Sequence, residues 1–133
     1  MIVVDTNILA YRWLPGPQSS KVDQLLRVDS EWAAPLLWRS EFRNLLAGYL
    51  RRGDLTSPQA ESVVAMARKS LSGGEYAVAD DAVMQLVVNS KCTAYDCEFV
   101  ALAQALNTML VTEDKALLKA FPTSCRSLLK MAS

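Results

Sequence analysis

The stretch Ile2-Val3-Val4-Asp5-Thr6-Asn7-Ile8-Leu9 decides the fold of this chain. Its first three residues are apolar, β-branched and uninterrupted by polar residues, which predicts a short strand buried on both faces. Asp5 or Thr6 can then cap a helix that runs to about Leu14, and Pro15-Gly16-Pro17 ends that helix. A buried strand that leads directly into a helix is typical of α/β proteins.

The same alternation continues through the rest of the chain. We predict further helices that begin at Ser19-Ser20, Pro35, Ser57-Pro58, Asp80-Asp81, Thr93 or Ala94, and Glu113, and further strands at Trp32-Ala33-Ala34, Glu75 to Ala79, Met109-Leu110-Val111 and Cys125 to Leu129. Short apolar strands between helices indicate an α/β fold, a three-layer α/β/α domain with a mostly parallel central sheet. Because the chain has 133 residues and no evident linker or repeat, we expect residues 1–133 to form a single domain.

The chain contains no histidine, and this absence narrows its possible chemistry. It excludes histidine-based catalytic triads, histidine-ligated zinc sites and acid–base cleavage of RNA by histidine. Fourteen basic residues balance fourteen acidic ones, so the net charge gives no bias towards nucleic acid. Carboxylates are therefore the leading candidates for catalysis.

The sequence also predicts where the protein resides. Asp5 interrupts the first apolar run, and no basic segment precedes that run, so we expect no signal peptide. No apolar run approaches the roughly 18 residues that a membrane helix needs. Cys92, Cys97 and Cys125 are odd in number and lack CxxC spacing, which favours reduced, buried or half-buried thiols. We predict a cytoplasmic protein that does not contact the membrane.

Two acidic residues follow predicted strands. Asp5 comes directly after the first strand, and Asp114 follows the apolar pair Leu110-Val111 after a short interval. In parallel α/β sheets, ligands bind beyond the carboxyl ends of the strands. Asp5 is the strongest single candidate for a functional acid, although a side chain at that place can also simply cap a helix.

Two more acidic residues border the apolar faces of helices. Glu41 flanks the stripe of the helix from Pro35 to Arg52, whose core residues are expected to be Trp38, Phe42, Leu45, Leu46 and Tyr49. Asp96 flanks a stripe that consists of Tyr95, Phe99, Leu102 and Leu106. The alternative for each acid is a salt bridge with a nearby arginine or a helix cap.

Several carboxylates that converge would repel one another unless a cation neutralised them. A hard divalent metal ion is the natural partner of such an oxygen-rich site, which argues for metal-assisted hydrolysis. The remaining acids have no comparable placement and are expected to be surface charge: Asp23, Asp29, Glu31, Asp54, Glu61, Glu75 and Glu98. Glu113 stays ambiguous, since it neighbours Asp114 but should point away from it if a helix begins there.

Four motifs in order resemble the PIN-domain family of ribonucleases, in particular the VapC-type toxins of prokaryotic toxin–antitoxin pairs. The motifs are Val3-Val4-Asp5-Thr6-Asn7-Ile8-Leu9, Ser40-Glu41-Phe42, Ala94-Tyr95-Asp96 followed by Phe99-Val100-Ala101-Leu102-Ala103, and Leu110-Val111-Thr112-Glu113-Asp114 followed by Leu117-Leu118 and Phe121-Pro122. The resemblance covers essentially the whole chain. Some members carry a fifth acid about one turn after the fourth, whereas Lys115, Ala116 and Leu117 follow Asp114 here.

The resemblance implies a metal-dependent endoribonuclease that uses Mg²⁺, with Mn²⁺ as a substitute. Asp5, Glu41, Asp96 and Asp114 would be the catalytic acids, with Asp5, Asp96 and Asp114 as metal ligands and Glu41 acting through water. Thr6, Asn7 and Thr112 would hydrogen-bond these carboxylates. Water would attack the phosphodiester and leave a 5′-phosphate. Candidate phosphate contacts are Arg12, Arg39, Arg43, Lys115 and Lys119.

The resemblance also implies partners: an RNA substrate, a cognate antitoxin and a second copy of the chain in a homodimer. Trp13, Trp32, Trp38 and Tyr49 are candidates for the protein–protein contacts, with the ordinary core as the alternative for most of them.

Other functions stay open at this point. A haloacid-dehalogenase-like phosphatase would need a second aspartate where Asn7 stands. A receiver-like regulatory module would need a phosphorylated aspartate at a central strand end after an acid pair, and none follows Asp80-Asp81. A PIN-like housekeeping RNA-processing or structure-specific nuclease, or a non-catalytic module that binds metal or RNA, is also compatible with the sequence.

Overall fold

The computed structural model describes residues 1–133 and places the first strand at the centre of a five-stranded sheet. The strands are β1 (Ile2–Val4), β2 (Trp32–Pro35), β3 (Glu75–Tyr76), β4 (Leu110–Val111) and β5 (Cys125–Arg126), in the order β3-β2-β1-β4-β5. All four pairings are parallel, so the sheet is wholly parallel rather than mostly so. Because β1 pairs on both sides and is covered on both faces, its apolar run does not alternate with polar residues.

Eight helices surround this sheet. They are α1 (Thr6–Trp13), α2 (Ser19–Val28), α3 (Trp38–Arg51), α4 (Ser57–Ser70), α5 (Asp80–Val88), α6 (Ala94–Ala105), α7 (Lys115–Ala120) and α8 (Leu128–Ala132). α6 packs on β1, β2 and β4 and carries α5 beside it, while α1 packs with α2, α3 and α4, and α2 packs with α8. The predicted three-layer α/β/α architecture is confirmed.

The helices that matter for the site are anchored by large side chains in one core. Trp38 and Phe42 from α3 and Phe99 from α6 are almost completely buried. The Trp38 and Phe42 rings meet edge to face, with their centroids 5.6 Å apart. These anchors fix the two helices that bear Glu41 and Asp96.

Helix α3 begins later than the sequence suggested. Pro35 does not lie in its first turn, because it is the last residue of β2 and is paired with Tyr76 in β3. The ladder continues one residue further, where the Leu36 N–H donates to the Tyr76 carbonyl at 3.0 Å. The strand therefore takes the residues that were expected to begin the helix, and α3 starts at Trp38.

The end of the chain also differs from expectation. β5 is an edge strand as predicted, but it contains only Cys125 and Arg126, and the short helix α8 follows it. Glu113 does not begin a helix; its Oε1 accepts a hydrogen bond of 2.8 Å from the Leu128 N–H in the first turn of α8. A strand was predicted across this segment because the run Cys125 to Leu129 is short and largely apolar.

One predicted core residue is on the surface. Tyr95 is 63% exposed, and the buried side of α6 is formed instead by Cys97 and by residues 99–103. No helix in the structure is both long enough and apolar enough to cross a lipid bilayer.

Candidate active site

Asp5 is held where β1 ends and α1 begins. It caps α1, and its Oδ1 accepts a hydrogen bond of 2.7 Å from the Thr6 N–H. Its Oδ2 accepts a bond of 2.6 Å from the hydroxyl of Thr112, which lies just beyond β4 and is completely buried. The parallel pairing of β1 with β4 brings these two strand ends to the same edge of the sheet.

Asp114 is attached to the same threonine. Its backbone N–H donates to the Thr112 hydroxyl at 3.0 Å, and its Oδ1 caps α7 by accepting from the Leu117 N–H at 3.1 Å. The Thr112 hydroxyl therefore donates to one acid and accepts from the backbone of the next. Both acids act as helix caps, the role foreseen as an alternative to a functional one, and each keeps lone pairs that the caps do not use.

Glu41 reaches the site from α3. Its Oε1 accepts a hydrogen bond of 2.7 Å from the hydroxyl of Thr6, which is only 5% exposed. Thr6 thus connects Asp5 through its backbone with Glu41 through its side chain. This contact joins residues that are far apart in the sequence, and it positions α3 against the start of α1.

Asp96 enters from the first turn of α6. The Thr93 side chain caps that helix by accepting a bond of 3.1 Å from the Asp96 N–H. The Asp96 side chain is half-buried and faces the other acids across a pocket of about 220 Å³. The pocket is lined by Asp5, Thr6, Asn7, Glu41, Asn44, Leu45, Asp96 and Asp114.

Three of the acids in this pocket have raised pKa values. Burial raises the pKa of Asp5, and the nearby Asp96 and Asp114 raise it further, while the bonds from Thr112 and Thr6 act in the opposite direction. Burial also raises the pKa of Glu41, with added repulsion from Asp5 and Asp96, and the pKa of Asp96, with added repulsion from Asp114. Ionising these acids together therefore has an electrostatic cost that the threonine hydrogen bonds offset only in part.

No basic residue lines the pocket, and the three ion pairs of the structure lie elsewhere. The atoms that could bind a metal ion are carboxylate, hydroxyl and amide oxygens, which are the ligands that a hard divalent cation prefers. No three acidic or cysteine side chains are close enough to bind one ion together, but Mg²⁺ commonly keeps several waters, so one or two of these acids together with water can bind an ion. Glu41 Oε2 and Asp114 Oδ2 make no hydrogen bond and are free to do so.

Two predicted phosphate contacts are engaged away from the pocket. The Arg12 guanidinium lies over the rings of Trp13 and Trp32, at 4.7 Å and 5.2 Å from their centroids. Arg39 pairs with Glu75, which accepts a bond of 2.7 Å from the Arg39 Nε. Arg43, Lys115 and Lys119 are exposed, and Lys115 directly follows Asp114.

Three of the acids that were predicted to be surface charge are half-buried instead. Glu75 also accepts from the buried Trp38 Nε1 at 2.6 Å, and Asp29 pairs with the amino terminus at 2.8 Å. Glu98 is half-buried, and burial together with Asp80 raises its pKa. Of the four predicted aromatic contact residues, Trp32 and Trp38 belong to the core.

Asn44 and Leu45 also line the pocket, and the sequence did not identify either as a site residue. Asn44 lies one turn after Glu41, so helical periodicity was the available signal, but an isolated amide on a polar helix face does not stand out in a sequence.

Comparison with known proteins agrees with this geometry. Residues 2–121 match the family described as PIN domain. The chain belongs to the PIN domain family. The match spans all four acids, from Asp5 to Asp114.

This PIN domain has a similar curated relative and similar solved structures. It is 27% identical to Ribonuclease VapC3 from Pyrobaculum aerophilum over 124 residues. This aligned stretch covers 91% of this chain and 95% of the relative. Its fold is similar to PAE2754 from the same organism, with a TM-score of 0.76 and 20% identity over 98% of this chain and 85% of the other. It is also similar to FitAcB from Neisseria gonorrhoeae, with a TM-score of 0.75 and 16% identity over 97% of this chain and 99% of the other.

Proposed function

We propose that this PIN domain is a divalent-metal-dependent endoribonuclease and the toxin of a VapBC-like toxin–antitoxin pair. The observation that carries the proposal is a pocket with four acidic residues, all-oxygen ligands and no basic residue, at the carboxyl edge of a parallel sheet. The name of the relative, Ribonuclease VapC3, supports both RNA as the substrate and the toxin role.

The acids divide into ligands and a water-orienting group. We assign Asp5, Asp96 and Asp114 to hold Mg²⁺, or Mn²⁺ in its place, and Glu41 to act through water. A divalent ion in this pocket would supply Lewis-acid chemistry, which makes water more nucleophilic and offsets the charge that builds on the phosphate. The hydroxyls of Thr6 and Thr112 keep the carboxylates of Glu41 and Asp5 in position.

The absence of histidine bears on the products as well. Activating the ribose 2′-hydroxyl requires a general base with a pKa near neutrality, and the chain has no histidine for that task. We therefore assign water as the nucleophile, oriented by the free Oε2 of Glu41. Its attack breaks the bond to the 3′-oxygen, so each cut leaves a 5′-phosphate and a 3′-hydroxyl. Because the substrate is RNA, we place the protein in the cytoplasm.

A toxin of this kind needs a partner that restrains it. An apolar groove of about 410 Å³ between α3 and α4 is lined by Leu46, Ala47, Leu50, Ala60 and Val64, with Arg43, Ser57 and Glu61 at its polar positions. The α3 residues that line this groove lie on the opposite flank of the helix from Glu41, Asn44 and Leu45, so a partner that uses both surfaces has to extend around α3. We propose that an apolar helix of the antitoxin binds this groove and that a basic side chain of the antitoxin reaches the carboxylates.

The homodimer is assigned to a different face. The outer side of α5 carries no charge beyond its first turn, and Met84 and Val88 are 53% and 78% exposed, with the exposed Leu36 lining the same pocket as Met84. A second copy can pack on this face about a two-fold axis. If the two α5 helices run antiparallel, their acidic first turns lie at opposite ends of the interface and do not repel each other. A second copy that presents the same apolar side of α5 would remove these exposed side chains from water.

A cleavage assay on single-stranded RNA tests the enzymatic proposal. We expect cleavage with Mn²⁺ or Mg²⁺, none in excess EDTA, and a loss of more than about 100-fold in Asp5→Asn. Asp23→Asn on the exposed side of α2 is the matched control and should cleave normally. Activity that survives EDTA, full activity of Asp5→Asn, or fragments that end in 2′,3′-cyclic phosphate would contradict the mechanism.

A further inference from the structure

We propose that Asn44 contacts the scissile phosphate, with its side-chain amide donating a hydrogen bond to a non-bridging oxygen. The proposal rests on the proposed nuclease function and assigns a substrate-binding residue that the sequence did not single out.

Asn44 lies in the acid pocket, and its side-chain amide is free to bind a phosphate oxygen. It lies on α3 one turn after Glu41, and its side chain lines the acid pocket. The hydrogen bonds inside the pocket use Asp5, Thr6, Glu41, Thr112 and Asp114, and none of them uses the Asn44 amide. The residue is exposed to solvent, so a substrate can reach it without displacing part of the core.

The charge of the pocket explains why an amide serves here. A phosphodiester that enters a pocket lined by four acids needs hydrogen-bond donors, and no lysine or arginine lines this pocket. An arginine at this position would pair with Glu41 or Asp5 and compete with the metal ion for their oxygens. A neutral amide donates to the phosphate without occupying a carboxylate. The Thr6 and Thr112 hydroxyls cannot take this role, since each already donates to an acid.

Two amides therefore face the substrate from neighbouring helices. Asn7 comes from α1 and Asn44 from α3, and these helices pack against each other. Asn44 is the more informative residue to test, because it lies far in sequence from Asp5, whereas Asn7 belongs to the first turn of the helix that Asp5 caps. The competing interpretation is an ordinary solvated asparagine that contributes to neither binding nor catalysis.

Asn44→Ala separates these interpretations. We expect kcat/KM for RNA cleavage to fall about 10- to 100-fold, the effect of losing one hydrogen bond to a charged group. Mn²⁺ affinity and the thermal midpoint should stay unchanged, because the amide is neither a metal ligand nor part of the core. Asn89→Ala, which changes an exposed asparagine at the end of α5, is the matched control and should keep full activity.

A substrate with sulfur in place of a non-bridging phosphate oxygen identifies the contact itself. In Mn²⁺, which tolerates sulfur as a ligand, the unmodified protein should lose activity on one of the two diastereomers, and Asn44→Ala should show a smaller further loss on that diastereomer. Normal activity of Asn44→Ala, equal losses on sulfur substitution in both proteins, or weakened Mn²⁺ binding would overturn this role while leaving the nuclease intact. If the unmodified chain cleaves no RNA, the proposed function fails and this role fails with it.

Discussion

Two buried threonines show how single residues organise this site. Thr6 bonds to Asp5 and Glu41, and Thr112 bonds to Asp5 and Asp114. Each threonine therefore connects acids that come from different parts of the chain. These hydrogen bonds favour the charged form of the carboxylates, but burial and mutual repulsion outweigh them, and the pKa values of Asp5, Glu41 and Asp96 are raised. Ionising these acids together is thus electrostatically unfavourable, and a bound cation would relieve their repulsion.

This unfavourable ionisation predicts a pH dependence of stability. A carboxyl whose pKa is raised in the folded state binds protons more tightly there than in the unfolded chain, so its ionisation destabilises the fold. Without metal, such a group contributes fully to stability below about pH 4, the ordinary carboxyl pKa. This contribution is lost as the pH rises through the raised pKa of the folded state. We expect the thermal midpoint of Asp96→Asn to exceed that of the unmodified protein in EDTA at pH 7, and the difference to shrink towards pH 4.

Thermal unfolding in EDTA and in Mn²⁺, from pH 4 to pH 7, checks this expectation. Saturating Mn²⁺ should stabilise the unmodified protein more than the variant at pH 7, because the variant lacks one ligand. A variant that is less stable than the unmodified protein at every pH without metal would show that Asp96 contributes favourable contacts rather than repulsion.

At the scale of elements, the start of α3 depends on a charged residue in a neighbouring strand. Glu75 in β3 accepts hydrogen bonds from Trp38 and Arg39 in the first turn of α3. This contact secures the end of the helix that carries Glu41 and Asn44. It was missed because the sequence places Glu75 at the beginning of a short strand, where a charged residue ordinarily faces solvent.

We predict that Glu75→Ala destabilises the protein. Removing the carboxylate leaves the Trp38 indole N–H buried without a partner, which costs about 1–3 kcal/mol in the free energy of unfolding. Chemical denaturation measures this loss. Glu61→Ala on the exposed side of α4 is the control and should change the free energy of unfolding by less than about 0.5 kcal/mol. Equal effects of the two changes would show that the Trp38–Glu75 bond contributes nothing.

Helix α5 carries the prediction about self-association. If its apolar face forms the homodimer, Met84→Glu combined with Val88→Glu should convert the dimer into a monomer, because each interface would then bury four unpaired carboxylates. Light scattering coupled to size-exclusion chromatography measures the mass. Met66→Glu changes a methionine of similar exposure on α4 and should leave the dimer intact. A monomeric unmodified protein at micromolar concentration would refute the proposed interface.

At the scale of the whole molecule, the wholly parallel sheet determines where all of this chemistry lies. Asp5 and Asp114 follow strands that pair side by side, so their side chains emerge at one edge, and α3 and α6 bring Glu41 and Asp96 to the same edge. The groove between α3 and α4 lies on the opposite flank of α3 from the acid pocket, and the exposed residues Met84 and Val88 of α5 do not line that pocket. If the proposed dimer forms through α5, both acid pockets can therefore stay accessible to RNA and to an antitoxin.

The biological role follows as a prediction about cells. Expression of the unmodified chain alone should arrest bacterial growth, because nothing then covers the acid pocket, while Asp5→Asn should be harmless at the same protein level. Co-expression of a cognate antitoxin should restore growth and yield an inactive complex on purification. Normal growth with a protein that cleaves RNA after purification would argue for a housekeeping nuclease instead.

Much of this architecture could be predicted from the sequence because it is encoded locally. The β-branched run before Asp5 predicted the central strand, the acids after strands and beside apolar stripes were predicted to converge, and Thr93 was expected to begin the helix that it caps. These features depend on hydrogen bonds and burial patterns within a few residues of each other. The convergence of the four acids was predicted from these features, and the family from the resemblance of four motifs to its known members.

Other features were decided by tertiary structure. Pro35 is in a strand because β3 supplies a partner for it. Tyr95 is exposed because α6 turns Cys97 and residues 99–103 inward instead. Glu113 lies outside a helix and accepts from the Leu128 N–H at the start of α8, whose cap is Ser127. The bond from Thr6 to Glu41, the support of Trp38 by Glu75 and the place of Asn44 in the pocket arise only when distant segments meet. The physical reason is that a polar side chain takes its role from the partners that folding brings within about 3 Å of it, and local periodicity does not identify those partners.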